Sequence, residues 1–170
     1  TEYHRYTLIG DPDSKRKYGY QVARGVRLVA LLNDCGIYEQ DIRYLDVKAT
    51  DELSLNSQTM GISYFLQPRY YYPNFYLGRN SSGAVTVPAM IAMSERVYWN
   101  ARTETIASKV ETYAEIGPDV SARAPRLCIG AVAPLVTGGK VSVSNIEVIH
   151  VVLAGAPPVN PDVYGDGDGE

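Results

Sequence analysis

This chain has few of the residues that most often carry catalytic or metal chemistry. It contains two histidines and two cysteines in 170 residues, and Cys35 and Cys128 lie far apart without the paired spacing of a structural zinc site. No Gly-x-Ser-x-Gly elbow, phosphate-binding glycine loop or His-Glu-x-x-His pair is present. These absences predict a protein that is not an enzyme and that uses no metal or cofactor.

The two cysteines are each surrounded by apolar residues in the sequence. Cys35 follows Leu31 and Leu32, and Cys128 lies between Leu127 and Ile129. Free cysteine behaves as a small hydrophobic residue, so both thiols are expected to be buried and free. A single disulfide between them stays open as an alternative.

Excess positive charge and long apolar runs are also missing. The chain has 16 Lys and Arg against 19 Asp and Glu, a net charge of −3, which argues against a nucleic-acid partner. The one local exception, Lys15-Arg16-Lys17, is interpreted as a solvated turn. No apolar run approaches the roughly 18 residues that span a bilayer, and no signal-peptide pattern is found. We expect synthesis in a cytoplasm without membrane insertion, and delivery to a virion or cell surface stays open.

Tyrosine, glycine and proline are abundant, whereas Phe and Trp are scarce, and this composition favours a β-rich domain. Alternation predicts an edge strand over 1–9 and a bulge or bend at Ser144-Asn145. The predicted fold is all-β, a two-sheet antiparallel β-sandwich of the jelly-roll type. Further strands are predicted over 42–49, 60–66, 74–79, 84–92, 126–132 and 140–153, with turns over 50–58 and 79–84 and a hairpin turn over 137–140.

Two segments have patterns that fit a strand or a helix. Residues 20–34 combine β-branched valines with a helical spacing of leucines, and 103–116 alternates only weakly. A strand is favoured in both. If 23–34 and 88–116 are helical instead, the fold becomes α+β.

The predicted domain covers 1–153, and a different composition follows over 154–170. This C-terminal segment is rich in Pro, Gly and acidic residues, so it buries little apolar surface and is predicted to be a linker or mobile tail. Its end, GDGDGE, is similar to a calcium loop but lacks the ligand spacing of an EF-hand, so a solvated acidic tail is favoured.

The aromatic stretch Tyr64–Tyr76 holds seven rings in thirteen residues. Such rings either form a binding surface for a glycan or subunit, or fill the core of a β-fold, and packing in the core is favoured. Under the first interpretation, nearby polar side chains would bond the ligand. The candidate ligand or interface residues are Tyr70, Tyr71, Tyr72, Tyr76, Trp99, Arg69, Asn74 and Arg79, with Gln67, Asn80 and Asn100 as further hydrogen-bonding side chains.

Two C-terminal segments, RLCIG at 126–130 and GKVSVSNIEV at 139–148, resemble the closing strands of galactose-binding-like jelly rolls. That group includes carbohydrate-binding modules and domains on phage tails and virions. The resemblance covers only these strands and implies a jelly roll that contacts a glycan or a subunit. It carries over no ligand residue, since the ligand residues of the family lie on variable loops.

The leading functional hypothesis is therefore a non-catalytic binding or structural module of a virion or phage tail. Its Tyr-rich surface would contact its own subunits, other virion proteins or a glycan. One alternative is a carbohydrate-binding module of a larger enzyme. Another is a small glycoside hydrolase, whose acid and base would be two carboxylates of Glu95, Glu104, Glu111 and Glu115.

Overall fold

The computed structural model of the chain is mostly β and describes residues 1–10, 13–50, 54–56, 61–101, 121–132 and 143–155. Nine strands, three short helices and their connections are defined in these ranges. The strands are β1 Glu2–Ile9, β2 Tyr18–Arg27, β3 Ile42–Ala49, β4 Ser54–Asn56, β5 Arg69–Tyr71, β6 Val85–Val87, β7 Met90–Trp99, β8 Arg126–Cys128 and β9 Ile146–Leu153. The α-helices are α1 Leu28–Asp34 and α2 Ser63–Leu66, and a 3-10 helix spans Glu39–Asp41.

The largest sheet has the antiparallel order β1-β2-β7-β8. Its β1–β2 register runs from Glu2 opposite Gly25 to Ile9 opposite Tyr18, which confirms the predicted edge strand at the start of the chain. The β2–β7 ladder shifts register between Arg24 and Gly25. A Cβ atom at Gly25 would lie 2.0 Å from the Ile91 carbonyl oxygen, so only glycine fits this irregularity.

The second sheet has the order β4-β3-β9 and follows the predicted alternation. Leu45 and Val47 are buried, whereas the Lys48 side chain is exposed. The predicted bend before β9 is confirmed, since Asn145 adopts a φ of 53° and the β3–β9 register shifts next to it. Strand β4 lies in the 50–58 segment that was predicted to be a turn.

The buried side chains form two clusters. One combines tyrosines of β1 and β2 with Tyr71, Tyr72 and Phe75. The other brings together α1, β3 and α2, where Leu28, Leu45 and Phe65 are fully buried, with apolar residues of β7 and β8. Strands β7 and β8 pack against both groups of elements, and they therefore contribute residues to both clusters.

The 20–34 segment is neither all strand nor all helix. It continues as β2 through Arg27 and then turns into α1, where Leu28, Leu31 and Leu32, which are not branched at Cβ, supply most of the apolar side chains. The backbone N–H of Leu28 donates to the Ala89 carbonyl oxygen at 2.9 Å, which ties the first turn of the helix to the segment before β7.

The strands predicted over 60–66 and 74–79 are wrong. Helix α2 lies in the first segment and a series of turns in the second, while the strand β5 lies between them, in the predicted bend. β5 pairs with β6 across the predicted 79–84 turn, so the turn is confirmed with different flanking strands. The 84–92 strand is divided into β6 and the start of β7.

The mostly β antiparallel character is confirmed, whereas the two-sheet sandwich and the jelly roll stay predictions. The 126–132 strand is confirmed in β8 and in a bridge from Ala131 to Tyr70.

Both cysteine thiols are free. Cys128 is buried, as predicted, but Cys35 is exposed after the end of α1. The helical alternative over 88–116 is wrong where the chain is described, because Met90–Trp99 forms the strand β7. Residues 102–116, the 137–140 turn and nearly all of the 154–170 segment lie outside the described residues.

Candidate functional site

The middle of the aromatic stretch is part of the protein core. Tyr71, Tyr72 and Phe75 are buried, and Phe75 meets the Tyr18 ring edge-on at a centroid distance of 5.5 Å. The backbone N–H of Tyr72 donates to the Thr7 hydroxyl at 2.7 Å, which fixes the stretch against β1. These three rings therefore pack in the core and are not accessible to a ligand at the surface.

Arg69 is also buried, at 2 % exposure, and both terminal nitrogens of its guanidinium donate to groups inside the molecule. Its guanidinium donates to the Gly130 carbonyl oxygen at 3.3 Å and to the Tyr64 carbonyl oxygen at 2.8 Å. Burial lowers the pKa of Arg69 below its ordinary value because no solvent stabilises the charge. Arg69 holds loops together and does not face a ligand.

The remaining candidates of this region lie at its rim. Tyr70 and Tyr76 are half-buried, and Asn74 donates to the Ser82 carbonyl oxygen at 3.1 Å. Arg79 lies over the Phe75 ring and donates to the Gly10 carbonyl oxygen at 3.3 Å. The eighth candidate, Trp99, lies apart from the other seven, at the end of β7.

Trp99 lines a groove of about 580 Å³ that the sequence did not predict, which we call the arginine groove. Among the described residues, four arginines and one carboxylate line it, so this part of the lining has an excess of three positive charges in a chain whose net charge is −3. Guanidinium groups bind carboxylate, sulfate and phosphate with paired hydrogen bonds. The groove is lined by Leu8, Arg16, Glu95, Arg96, Val97, Trp99, Arg123, Arg126 and Ser144.

Side-chain alternation explains why three of the four β7 residues in the lining reach the groove together, and Arg96, which lies between them on the strand, lines it as well. Glu95, Val97 and Trp99 alternate along the strand and so share one face of the sheet. Trp99 lies opposite Gly19 of β2, whose missing side chain leaves room for the indole. A Cβ atom at Gly19 would lie only 2.9 Å from the Cε3 atom of Trp99.

Arg16 is held beside Trp99 by an ordered loop. Asn100 adopts a φ of 52°, a left-handed conformation that asparagine tolerates, and its side-chain oxygen accepts from the Lys17 N–H at 2.9 Å. Its amide nitrogen donates to the Lys15 carbonyl oxygen. The Arg16 Cζ atom lies over the Trp99 ring, 5.2 Å from its centroid. The Lys15-Arg16-Lys17 turn is thus fixed at the rim of the groove.

A buried polar network forms the other side of the groove. Arg126 and Glu95 approach to 2.8 Å, and each side chain is only 8 % exposed. The Gln21 amide donates to the second Glu95 oxygen at 3.1 Å, and the Ser121 hydroxyl accepts from the Glu95 backbone N–H at 2.9 Å. Because Gln21 holds the Glu95 carboxylate and Ser121 holds its backbone, Glu95 fixes the position of the Arg126 guanidinium.

The arrangement of the described side chains is suited to binding an anion. Glu104, Glu111 and Glu115 lie outside the described residues, so the two-carboxylate hypothesis stays a prediction. Within the described ranges, no cluster of His, Cys, Asp and Glu could hold a metal ion, and no helix is long and apolar enough to cross a bilayer.

Comparisons with known proteins place this chain in no family. No family model, no curated protein and no solved structure matches it. The resemblance to galactose-binding-like jelly rolls therefore stays a prediction.

Sequence reasoning included Trp99, Glu95 and Asn100 among its candidates but missed the groove arginines. The run Lys15-Arg16-Lys17 was the only visible signal, and it was interpreted as a solvated turn. Arg123 and Arg126 precede and begin β8 and have no motif around them. They meet Arg16 only because β2, β7 and β8 are neighbours in the sheet.

Proposed function

We propose that this protein is a non-catalytic binding or structural module that holds a negatively charged group in the arginine groove. The charge would belong to an acidic glycan or to a neighbouring subunit. The observation that carries the proposal is the Arg16 guanidinium, fixed over Trp99 beside Arg123 and the anchored Arg126. The groove volume of about 580 Å³ lies in the range of about 300–1,000 Å³ of small-ligand sites.

The test uses an oligogalacturonate hexamer as the anionic probe and maltohexaose as its neutral counterpart. Binding is measured by calorimetry and by the fluorescence of Trp99, the single tryptophan. The charged sugar should bind and the neutral sugar should not. Arg16→Gln combined with Arg123→Gln should weaken binding at least tenfold, because each change removes a charge-assisted hydrogen-bond donor.

The matched control is Arg43→Gln, which removes an exposed arginine from β3, outside the groove. Its affinity should equal that of the unchanged protein. Equal loss in the control and in the groove variant, or equal binding of the neutral sugar, would contradict recognition of charge by the groove.

A second candidate is the subunit of an assembled virion or phage-tail particle, made in a cytoplasm and delivered as part of the particle. One observation favours it. Leu77 is 56 % exposed beside Tyr76, in a hollow of about 460 Å³ at the rim of the aromatic stretch. Light scattering of the protein would show a discrete oligomer, and Leu77→Ser would dissociate it. A monomer at all concentrations would overturn this candidate.

A further inference from the structure

We propose that this protein also binds a small uncharged molecule, mostly apolar with one hydrogen-bonding group, in a second pocket. We call it the His4 pocket, and its described walls are His4 and Arg27, helix α1, residues 65–68 and residues 86–89. Its volume of about 610 Å³ lies in the range of about 300–1,000 Å³ of small-ligand sites. It shares no described lining residue with the arginine groove, so the inference goes beyond the proposed function and stands without it.

Hydrogen bonds inside the protein hold the walls of the His4 pocket in place. The backbone N–H of Leu28 donates to the Ala89 carbonyl oxygen at 2.9 Å, which joins α1 to the 86–89 wall. The Tyr6 hydroxyl donates to the Pro88 carbonyl oxygen at 2.7 Å, which joins the same wall to β1. A ligand therefore enters a pocket that is already formed, and little conformational entropy is lost on binding.

Most of the described lining is apolar. Eight of its fourteen described residues are aliphatic, aromatic or proline, so the larger part of a bound molecule would contact apolar groups. Phe65, Val87 and Ala89 are buried at the base of the walls, whereas Val29 and Leu66 are half-buried. A ligand with an apolar body would cover the surface that these side chains still expose to water, which favours binding.

The polar part of the lining is held by a carboxylate. One oxygen of Glu2 accepts from Arg27 Nε at 2.6 Å and bonds to His4 Nε2 at 2.7 Å. The hydrogen bonds from Arg27 and from His4 lower the pKa of Glu2, so the carboxylate is ionised at neutral pH and can only accept. His4 Nε2 therefore carries a proton. The other ring nitrogen, Nδ1, has no partner among the described residues and is an acceptor when the ring is neutral.

Charge balance indicates an uncharged ligand. With His4 neutral, the described lining holds one positive and one negative side chain, Arg27 and Glu39, and the Arg27 charge is also paired with Glu2. An ionised ligand would lose hydration here without a net attraction to offset the loss. The described lining of the arginine groove has an excess of three positive charges, so the two sites select different classes of molecule.

The experiment uses the full chain and the neutral probe N-phenyl-1-naphthylamine, whose fluorescence rises in an apolar site and whose single N–H can donate to His4 Nδ1. At pH 8 the protein should bind it saturably, with one molecule per chain. The charged counterpart is 8-anilino-1-naphthalenesulfonate, which has the same rings and adds a sulfonate. It should not displace the neutral probe.

Two pairs of variants locate the probe. Ala30→Phe adds a ring at an exposed α1 position that lines the pocket, and Asp34→Phe adds the same ring at an exposed α1 position outside the lining. The first should weaken binding at least tenfold, and the second should leave it unchanged. Thr86→Phe and its control Val85→Phe repeat the test from β6, where both positions are exposed and only residue 86 lines the pocket. Chemical denaturation checks that each variant folds.

A third comparison tests the hydrogen bond to His4. His4→Phe keeps a ring in the lining and removes the acceptor, so it should weaken N-phenyl-1-naphthylamine about three- to tenfold. Binding of 1-phenoxynaphthalene, in which an ether oxygen replaces the N–H, is measured by displacement of the probe and should be unchanged by His4→Phe. Equal weakening of the amine and the ether would overturn the role of His4.

The remaining outcomes decide the proposal itself. Failure of the unchanged protein to bind N-phenyl-1-naphthylamine saturably overturns it. Unchanged binding in both Ala30→Phe and Thr86→Phe, or equal weakening by each variant and its control, shows that the probe binds elsewhere and also overturns it. Displacement of the probe by an equal concentration of the sulfonate overturns the assignment of an uncharged ligand.

Discussion

The aromatic stretch Tyr64–Tyr76 and the arginine groove both combine rings with guanidinium groups, but they use them differently. In the aromatic stretch, Arg69 donates to two backbone carbonyl oxygens and is removed from solvent. In the groove, Arg16 lies over Trp99 but remains exposed on its loop. The same pair of residue types therefore joins loops in one region and lines an open groove in the other.

The difference teaches that aromatic density does not indicate exposure. Seven rings in thirteen residues supply a large apolar area, which drives the stretch towards the sheet, where Tyr18 and Tyr20 receive it. A single Trp at a strand end lies over a glycine and a loop, where the surface curves inward. Whether a ligand can reach an aromatic ring therefore depends on which residues pack against that ring in the fold.

The largest expected effect tests the core role of the stretch. Phe75 is fully buried, so Phe75→Ala should reduce the free energy of unfolding by about 3–5 kcal/mol, from lost burial and the cavity left behind. Chemical denaturation measures this change. Tyr38→Ala, at a ring that is 49 % exposed, is the control and should stay within about 0.5 kcal/mol. If Phe75→Ala and Tyr38→Ala lowered the unfolding free energy equally, the aromatic stretch would not have the core role proposed for it.

The next effect concerns the network beside the groove. Glu95→Ala leaves the Arg126 guanidinium buried without its carboxylate and should cost about 3 kcal/mol of unfolding free energy. Adding Arg126→Met should recover part of the loss, because the uncompensated charge is removed. A double-mutant cycle by urea denaturation measures the coupling, and strict additivity of the two changes would show that the pair does not interact.

A smaller effect tests the position of Trp99. Gly19→Ala places a methyl group 2.9 Å from Trp99 Cε3 and 3.2 Å from Val97 Cγ1, so the indole must move. We expect a loss of about 1–3 kcal/mol in unfolding free energy and a shift of tryptophan emission. In a Trp99→Phe background the smaller ring should make the glycine change milder. If Gly19→Ala lowers the unfolding free energy equally in both backgrounds, the added methyl group does not clash with the indole.

The smallest effect uses pH to probe the core that Cys128 shares with the aromatic stretch. Burial raises the pKa of Cys128 from its ordinary 9.0 to about 12. The unfolded thiol ionises above about pH 9 while the folded one keeps its proton, so stability falls as pH rises from 9 towards 12. The loss should be about 1.4 kcal/mol at pH 10.

Urea denaturation from pH 8 to 10.5 measures this loss, and Cys128→Ala should flatten the curve near pH 9–10. The decline above pH 10 should persist in this variant, because burial also raises the pKa of Tyr20 and Tyr72. An unchanged curve in Cys128→Ala would show that the thiol is not the group responsible.

Much of the strand content was predictable because alternation is a local property. β1, β3, β8 and β9 follow patterns that are visible in a few residues each. The 60–79 region was not predictable in this way, since its β-favouring rings are placed by long-range contacts, such as the hydrogen bond from the Tyr72 N–H to Thr7. The helical alternative for the 20–34 segment is right only for α1, Leu28–Asp34. The helix begins where the Leu28 N–H donates a hydrogen bond to the Ala89 carbonyl oxygen.

The sequence by itself determined the mostly β character, the bend before β9, the burial of Cys128 and the acidity of the C-terminal segment. Alternation, turn chemistry and charge are carried by neighbouring residues, so they need no fold to be visible. The tertiary structure alone decided that Tyr71 and Tyr72 are buried while Tyr70 and Tyr76 lie at the rim, and that arginines from three distant segments meet around Trp99. That meeting depends on the order β1-β2-β7-β8, which joins residues about 80 to 110 positions apart. Such long-range pairing leaves no local pattern in the chain.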